Sequence, residues 1–210
     1  MIIINHKFFS LKPEKRERII NAALKEFAKN GYDKASTNEI VKESGISKGS
    51  LFNYFISKKE LYLFLLDYVV KVIEQMYDEV DWSETDFFKR MRQFGLVKFK
   101  TYKKFPHVFD FINAVTNEDA AEVRPEIKSI SKDLISSGLE RAYENIDFTR
   151  FRDDIDIKKS IDIINCAILG LAEQKRNRVS SFADVGIEVL DEFDEYFKIL
   201  ERCFYKEGER

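Results

Sequence analysis

Between residues 36 and 60 the chain has little freedom in what it can become. Ser36 and Glu39 make a capping box: the serine hydroxyl accepts from the Glu39 amide while the Glu39 carboxylate reaches back to the Ser36 N–H, which predicts a helix starting at Thr37. Ile40 and Val41 give that helix an apolar side. Gly45 tolerates the positive φ that ends a helix, and Ile46 closes the corner behind it. Ser47 then caps a second, short helix that mixes apolar Leu51 and Phe55 with Lys48, Gly49, Ser50, Asn53 and Tyr54. Two short helices on so tight a turn, the second with a small and hydrogen-bonding face, suit the groove of a DNA duplex. Ser57 and Glu60 repeat the capping box and start a further helix within two residues of Phe55, with no Gly or Pro between.

Upstream, Pro13 suits a first helical turn, and Glu14 and Glu17 complement the positive end of the helix dipole. Ile20, Ala23, Leu24, Phe27 and Ala28 repeat as one face until Asn30 and Gly31. The three helices make a compact unit whose expected core is Phe27, Ile40, Val41, Ile46, Leu51 and Phe55. Residues 1–9 read as a partly ordered, frayed arm. The helix from Ser57 runs to about Glu79 with Leu61, Phe64, Leu65, Tyr68, Val72 and Met76 on one side, which makes it a lever rather than a flexible linker.

Helical patterns continue over 84–104, 106–115, 120–145, 157–178 and 183–206, with a break at Pro106 and no strand pattern, repeat or low-complexity tract. Pro125 either starts its helix or kinks it. Gly138 and Gly170 inside helical patterns suggest close approach of other groups. The last two helices are apolar on two sides. One stripe holds Ile161, Ile164, Ala167, Ile168 and Leu171, and Ile163, Cys166 and Leu169 widen it; the other holds Leu190, Phe193, Phe197, Leu200 and Phe204, with Val189, Tyr196, Ile199 and Cys203 on a second side. Such helices need two partners, which leaves two arrangements open: the same pair in a second subunit, or the centre of a thick monomer core.

Charge is balanced overall, 35 Lys and Arg against 37 Asp and Glu, but residues 1–60 carry 12 against 7 and leave 23 against 30 for the rest. A basic N-terminal quarter is the sign of a phosphate-facing module, and also of a solvated helix face. Cys166 and Cys203 imply no disulfide framework and read as reduced core thiols. No run approaches the about 18 apolar residues of a membrane span, and residues 1–9 are too short for a secretion signal, so a soluble, cytoplasmic protein is expected. His6 and His107 belong to no metal-spaced cluster, and no phosphate loop or nucleophile elbow is present. No catalytic residue, metal or cofactor is expected, and the chain does not read as an enzyme.

The residues from Phe27 to Tyr32, Ser36, Thr37, Glu39, Ile40, the run Gly45–Phe55 and Ser57–Leu61 resemble the TetR family of one-component transcriptional regulators. The resemblance is close over about residues 13–65 and architectural beyond them; Ser44 stands where Ala is common, and Asn53 at a position that varies. It implies an all-α fold: a three-helix DNA-binding unit with a helix-turn-helix over residues 1–56, then a helical effector-binding and dimerisation bundle over 57–210. It implies phosphate contacts from Thr37, Lys48, Tyr54 and Lys58, with Ser47, Gly49, Ser50 and Asn53 facing the major groove of a pseudo-palindromic operator. It also implies an inducer within the Phe-rich bundle, where Phe88, Met91, Phe94, Phe99, Tyr102, Phe109, Ile112, Asn165 and Leu169 are the candidate lining, although a packed core without a cavity fits the same residues. Ile161, Ile164, Ile168, Leu190, Phe193, Phe197 and Leu200 are the candidate homodimer interface. Three functions stay open: a repressor released by a lipophilic or aromatic effector, a DNA-binding dimer governed by a protein partner, or a helical lipid-binding or enzymatic protein that retains a vestigial DNA unit.

Overall fold

The computed structural model describes residues 6–208 and, within them, the side chains outside 131–137, 139, 140 and 183. Along these residues run α1 (His6–Phe9), α2 (Pro13–Lys34), α3 (Thr37–Ser44), α4 (Lys48–Tyr54), α5 (Lys58–Asp78), α6 (Phe87–Lys104), α7 (Pro106–Thr116), α8 (Arg124–Tyr143), α9 (Ile157–Arg176) and α10 (Glu188–Phe204). No strand occurs among the described residues; Phe151 and Tyr205 share an isolated bridge. The fold is all-α, as the periodicities predict.

Helix ends fall where side chains or glycines satisfy free backbone groups. Ser36 Oγ accepts from the Glu39 amide at 3.4 Å, but the Ser36 N–H donates to Glu26 Oε1 at 2.8 Å and not to Glu39, because α2 brings a carboxylate closer. Gly45, at φ 68 and ψ 36, ends α3. Ser57 Oγ accepts from the Glu60 amide at 3.1 Å, and Glu60 Oε2 reaches back to the Ile56 N–H at 2.8 Å, one residue before the position of a strict box. Pro125 lies in the first turn of α8, so it starts that helix and does not kink it.

Two compact units divide the chain: one takes the described residues up to Gln75 with Phe105–Ser137, the other Met76–Lys104 with the described residues from Gly138 onward. In the first, α2 packs on α3 and α7, and Phe27, Tyr32, Tyr62 and Phe111 form a cluster of edge-on and stacked rings. Ile40, Leu51 and Phe55 are buried as expected, while Val41 and Ile46 are half-buried. A second ring cluster joins Phe8, Tyr54, Phe55 and Phe64. The expectation of a frayed arm is therefore corrected for the described part of that segment: His6–Phe9 are helical and Phe8 is fully buried.

The second unit is built around Phe87, Phe88, Phe151, Ile164, Phe197 and Tyr205. Arg90 is wholly buried beside it. Its guanidinium donates to the carbonyls of Trp82, Ala142, Glu144 and Glu84, so it ties the approach to α6 to the carbonyl end of α8. Asp86, also buried, pairs with Arg150 and accepts from the Tyr205 hydroxyl at 3.2 Å. Burial and the Asp86 charge push the Tyr205 phenol above its ordinary pKa.

Candidate nucleic-acid interface

The geometry of α4 follows from what lies behind it. Leu51 and Phe55 turn inward and are buried, so the opposite side of a helix of 3.6 residues per turn faces outward. Ser47 Oγ accepts from the Ser50 amide at 3.1 Å and meets the Ser50 hydroxyl at 2.9 Å, which closes the first turn. Ser44, where an alanine would leave nothing to satisfy, is buried and donates to the Ile40 carbonyl at 2.7 Å, so its hydroxyl carries no desolvation penalty.

Of the eight residues expected at DNA, Ser47, Lys48, Gly49 and Asn53 lie exposed on α4 and its cap, and Thr37 and Ser50 are half-buried beside them. Lys48 makes no ion pair among the described residues, whereas Lys25 pairs with Glu43 at 2.7 Å and Lys42 approaches Glu39 at 3.9 Å. Tyr54 is mostly enclosed at 8% exposure, its ring against Phe8. Lys58 is engaged elsewhere: Nζ donates to the carbonyls of Tyr32 at 2.8 Å and Asp33 at 3.1 Å, and lies 4.7 Å from the Tyr32 ring centroid. In this arrangement its charge serves the carbonyl end of α2. Lys59 pairs with Glu126 at 2.9 Å. Phe52 is 40% exposed.

A signal that sequence reading missed sits at the end of α2. Gly31 adopts φ 66 and ψ 178, a conformation essentially confined to glycine, and the next amide, of Tyr32, donates to Glu118 Oε2 at 2.6 Å. The same carboxylate accepts from the Ala120 amide through Oε1 at 3.0 Å. Glu118 thus fastens the end of α2 to the link between α7 and α8. The Asn30 and Gly31 pair marked the break, but nothing local pointed to a partner 86 residues away.

The candidate effector lining is drawn from both units. Phe109 and Ile112 belong to the first unit and the other seven to the second. Phe88 is core, Met91 packs on that core, Phe94 stacks on Tyr77 at 6.0 Å, Tyr102 meets Phe182 at 4.8 Å, and Asn165 Nδ2 donates to the Tyr143 hydroxyl at 2.5 Å. Leu169 is corrected outright: it is 67% exposed, because five residues of helix carry it well away from buried Ile164. Arg92, on the same helix as Phe94, pairs with Asp194 and with Glu201. An open groove of about 480 Å³ does exist in the first unit, lined by Ser57, Lys59, Glu60, Leu63, Asp67, Val70, Glu126 and Ile130, none of them a predicted lining residue.

Of the candidate interface stripe, Ile161 and Leu190 are half-buried, and the other five meet the unit's own core. Ile164 and Phe197 are buried in the unit's own core, and Ile168, Phe193 and Leu200 pack against it, so this is the inner side of α9 and α10. The sides left open are the second ones, with Ile163, Leu169 and Ile199 each more than half exposed. Cys166 and Cys203 lie there as free, exposed thiols rather than in the core. Gly170 has open space beside it, whereas Gly138 abuts Tyr77. Among the described residues no group of His, Cys, Asp or Glu is arranged to hold a metal, and no helix is long and apolar enough to cross a membrane.

Residues 19–64 match the pattern of bacterial regulatory proteins of the tetR family. Over 128 residues the chain is 31% identical to the uncharacterized HTH-type transcriptional regulator YuxN of Bacillus subtilis, covering 60% of this chain and 43% of YuxN. Over 69 residues it is 42% identical to the HTH-type transcriptional regulator QacR of Staphylococcus aureus, covering 33% of this chain and 34% of QacR. The matched region therefore spans less than half of either relative. A solved TetR family regulator from Chloroflexus aurantiacus shares the fold with a TM-score of 0.63 at 25% identity, over 97% of this chain and 99% of that one.

Proposed function

Because the chain belongs to the TetR family of bacterial regulatory proteins, we propose that it is a homodimeric, DNA-binding transcriptional regulator, and specifically a repressor released from a pseudo-palindromic operator by a small lipophilic or aromatic effector. The observation that carries the reading is α4: a short capped helix on a tight turn, with Ser47, Lys48, Gly49 and Asn53 exposed on it and its apolar side buried. Lys48 supplies a cation to a phosphate, and Asn53 can pair with an adenine edge. In this reading residues 1–56 meet the operator, residues 57–210 carry the effector and the dimer contact, and the protein works in the cytoplasm without catalysis.

The open apolar sides of α9 and α10 support the dimer, since a lone subunit would leave Ile163, Leu169 and Ile199 in water. A symmetric pair reads two half-sites separated by about one helical turn or a multiple of it. The density of Phe and Tyr on α6 and α7 favours a lipophilic effector over a polar one. A regulator governed by a protein partner stands as the second reading, favoured by the packing of Phe88, Met91, Phe94 and Tyr102 on neighbouring side chains.

Gel-shift with duplexes from the DNA upstream of the protein's own gene, and with duplexes enriched from a randomised pool, tests the reading. A specific band that weakens steeply with salt is expected, and its absence from both sources would falsify operator binding. Lys48→Ala should weaken every duplex alike, and Asn53→Ala should relax preference at one base pair. A matched effector should raise the melting temperature and lower operator affinity together; apolar compounds that do neither leave the partner-governed reading in place.

A further inference from the structure

Phe8 sits where an arm ahead of the DNA-binding unit would have no reason to be ordered on its own account. A four-residue helix is far too short to persist by itself, so α1 exists because something holds it. That something is one fully buried ring. Phe8 packs at 5.9 Å on Tyr54 and 4.9 Å on Phe55, the last turn and end of α4, and at 5.2 Å on Phe64 of α5. Two polar contacts fix the turn behind it: Arg16 Nη1 donates to the Phe9 carbonyl at 2.9 Å, and Ser10 Oγ to the Lys7 carbonyl at 2.9 Å.

The consequence falls on Tyr54. Its ring is enclosed and has little room to swing, so the direction of its hydroxyl is set by what lies behind the ring, and α1 supplies part of that backing. Leu51 and Phe55 are buried and anchor α4, and Phe8 adds a ring contact to Tyr54 from outside the helix-turn-helix. We infer that Phe8 is a positioning residue for operator binding: it seats the last turn of α4 and holds the Tyr54 hydroxyl towards a DNA phosphate. The inference rests on the operator reading above and adds to it a residue outside the helix-turn-helix.

A double-mutant cycle on the full chain separates this role from a merely structural one. The variants are Phe8→Ala, Tyr54→Phe and the pair together, with Phe8→Leu as the conservative replacement. The probe is the duplex that the wild-type chain enriches from a randomised pool, read by fluorescence anisotropy, with a melting curve for every variant. Phe8→Ala and Tyr54→Phe are each expected to weaken binding on the order of tenfold. The double variant should bind as Tyr54→Phe does, and Phe8→Leu should keep affinity within about twofold of wild type. Losses that multiply in the double variant overturn the inference, because Phe8 then acts on something other than Tyr54. So does wild-type affinity in Phe8→Ala. If Phe8→Ala melts out at the assay temperature, the smaller truncation Phe8→Val, alone and with Tyr54→Phe, takes its place in the cycle, with the same two outcomes deciding. A wild-type chain that enriches no duplex removes the operator reading and this inference with it, whereas enrichment with a multiplicative cycle removes this inference alone.

Discussion

At Gly31 the backbone takes a conformation that a side chain makes costly, and Glu118 Oε2 stands 3.3 Å from where a Cβ would be. Gly31→Ala is therefore expected to lower unfolding stability by about 2 kcal/mol. Urea titration measures it, and a midpoint equal to wild type would show that the backbone can relax. Arg90 is the opposite case, a buried charge whose hydrogen bonds, among the described residues, go to backbone carbonyls. Arg90→Met keeps the bulk and orphans those carbonyls, so a loss of about 3 kcal/mol is expected from the same titration. These two residues also mark how far single positions are legible from sequence. Ser36, Gly45, Ser47 and Ser57 were readable because a cap is a local pattern. Glu26 at the Ser36 amide, Glu118 at the Tyr32 amide and the Arg90 carbonyl set were not, because each joins groups far apart in the chain and no spacing encodes the meeting.

Helices were legible nearly throughout, since amphipathic spacing opened by a capping serine, as in α3 and α4, or by Pro, as in α7, leaves little choice. What spacing does not reveal is which of two apolar sides faces inward; on α9 and α10 both are apolar, and only packing shows that Ile164 and Phe197 are core. Helix contacts yield two further expectations. A Cβ at Gly138 would collide with the Tyr77 hydroxyl, so Gly138→Ala should destabilise by about 1 to 2 kcal/mol despite better helix propensity. Tyr77→Phe should recover part of that loss; a melting temperature that rises in Gly138→Ala alone would contradict the contact. Between α5 and α8, the hydrogen bond from Lys59 holds the Glu126 carboxyl below its ordinary 4.5. A depressed folded pKa contributes stability that is full above the ordinary value and is lost as pH falls through the folded one. The stability gap between wild type and Lys59→Met should accordingly be widest near neutrality and close under acid, and a gap independent of pH would refute the pairing.

For the molecule as a whole, the N-terminal quarter was far more legible than the rest, because a groove-reading unit needs particular residues at particular spacings, whereas a helical bundle needs only apolar stripes and can place a cavity anywhere among them. Phe88, Phe94 and Tyr102 illustrate this: their types suited a pocket lining, and each packs on a different neighbour. Assembly is the property to test at this scale. Leu169→Glu puts a charge on the open side of α9 and should convert dimer to monomer in sedimentation, with little change in helix content. Sedimentation of wild type as a monomer at every concentration would remove the dimer from the account. The thiols of Cys166 and Cys203 share those open sides. If the sides close on a second copy, the two sulfurs become timekeepers of assembly: a maleimide dye reacts at the rate at which subunits part, so labelling slows as protein concentration rises, and the chain reports its own association without any added probe.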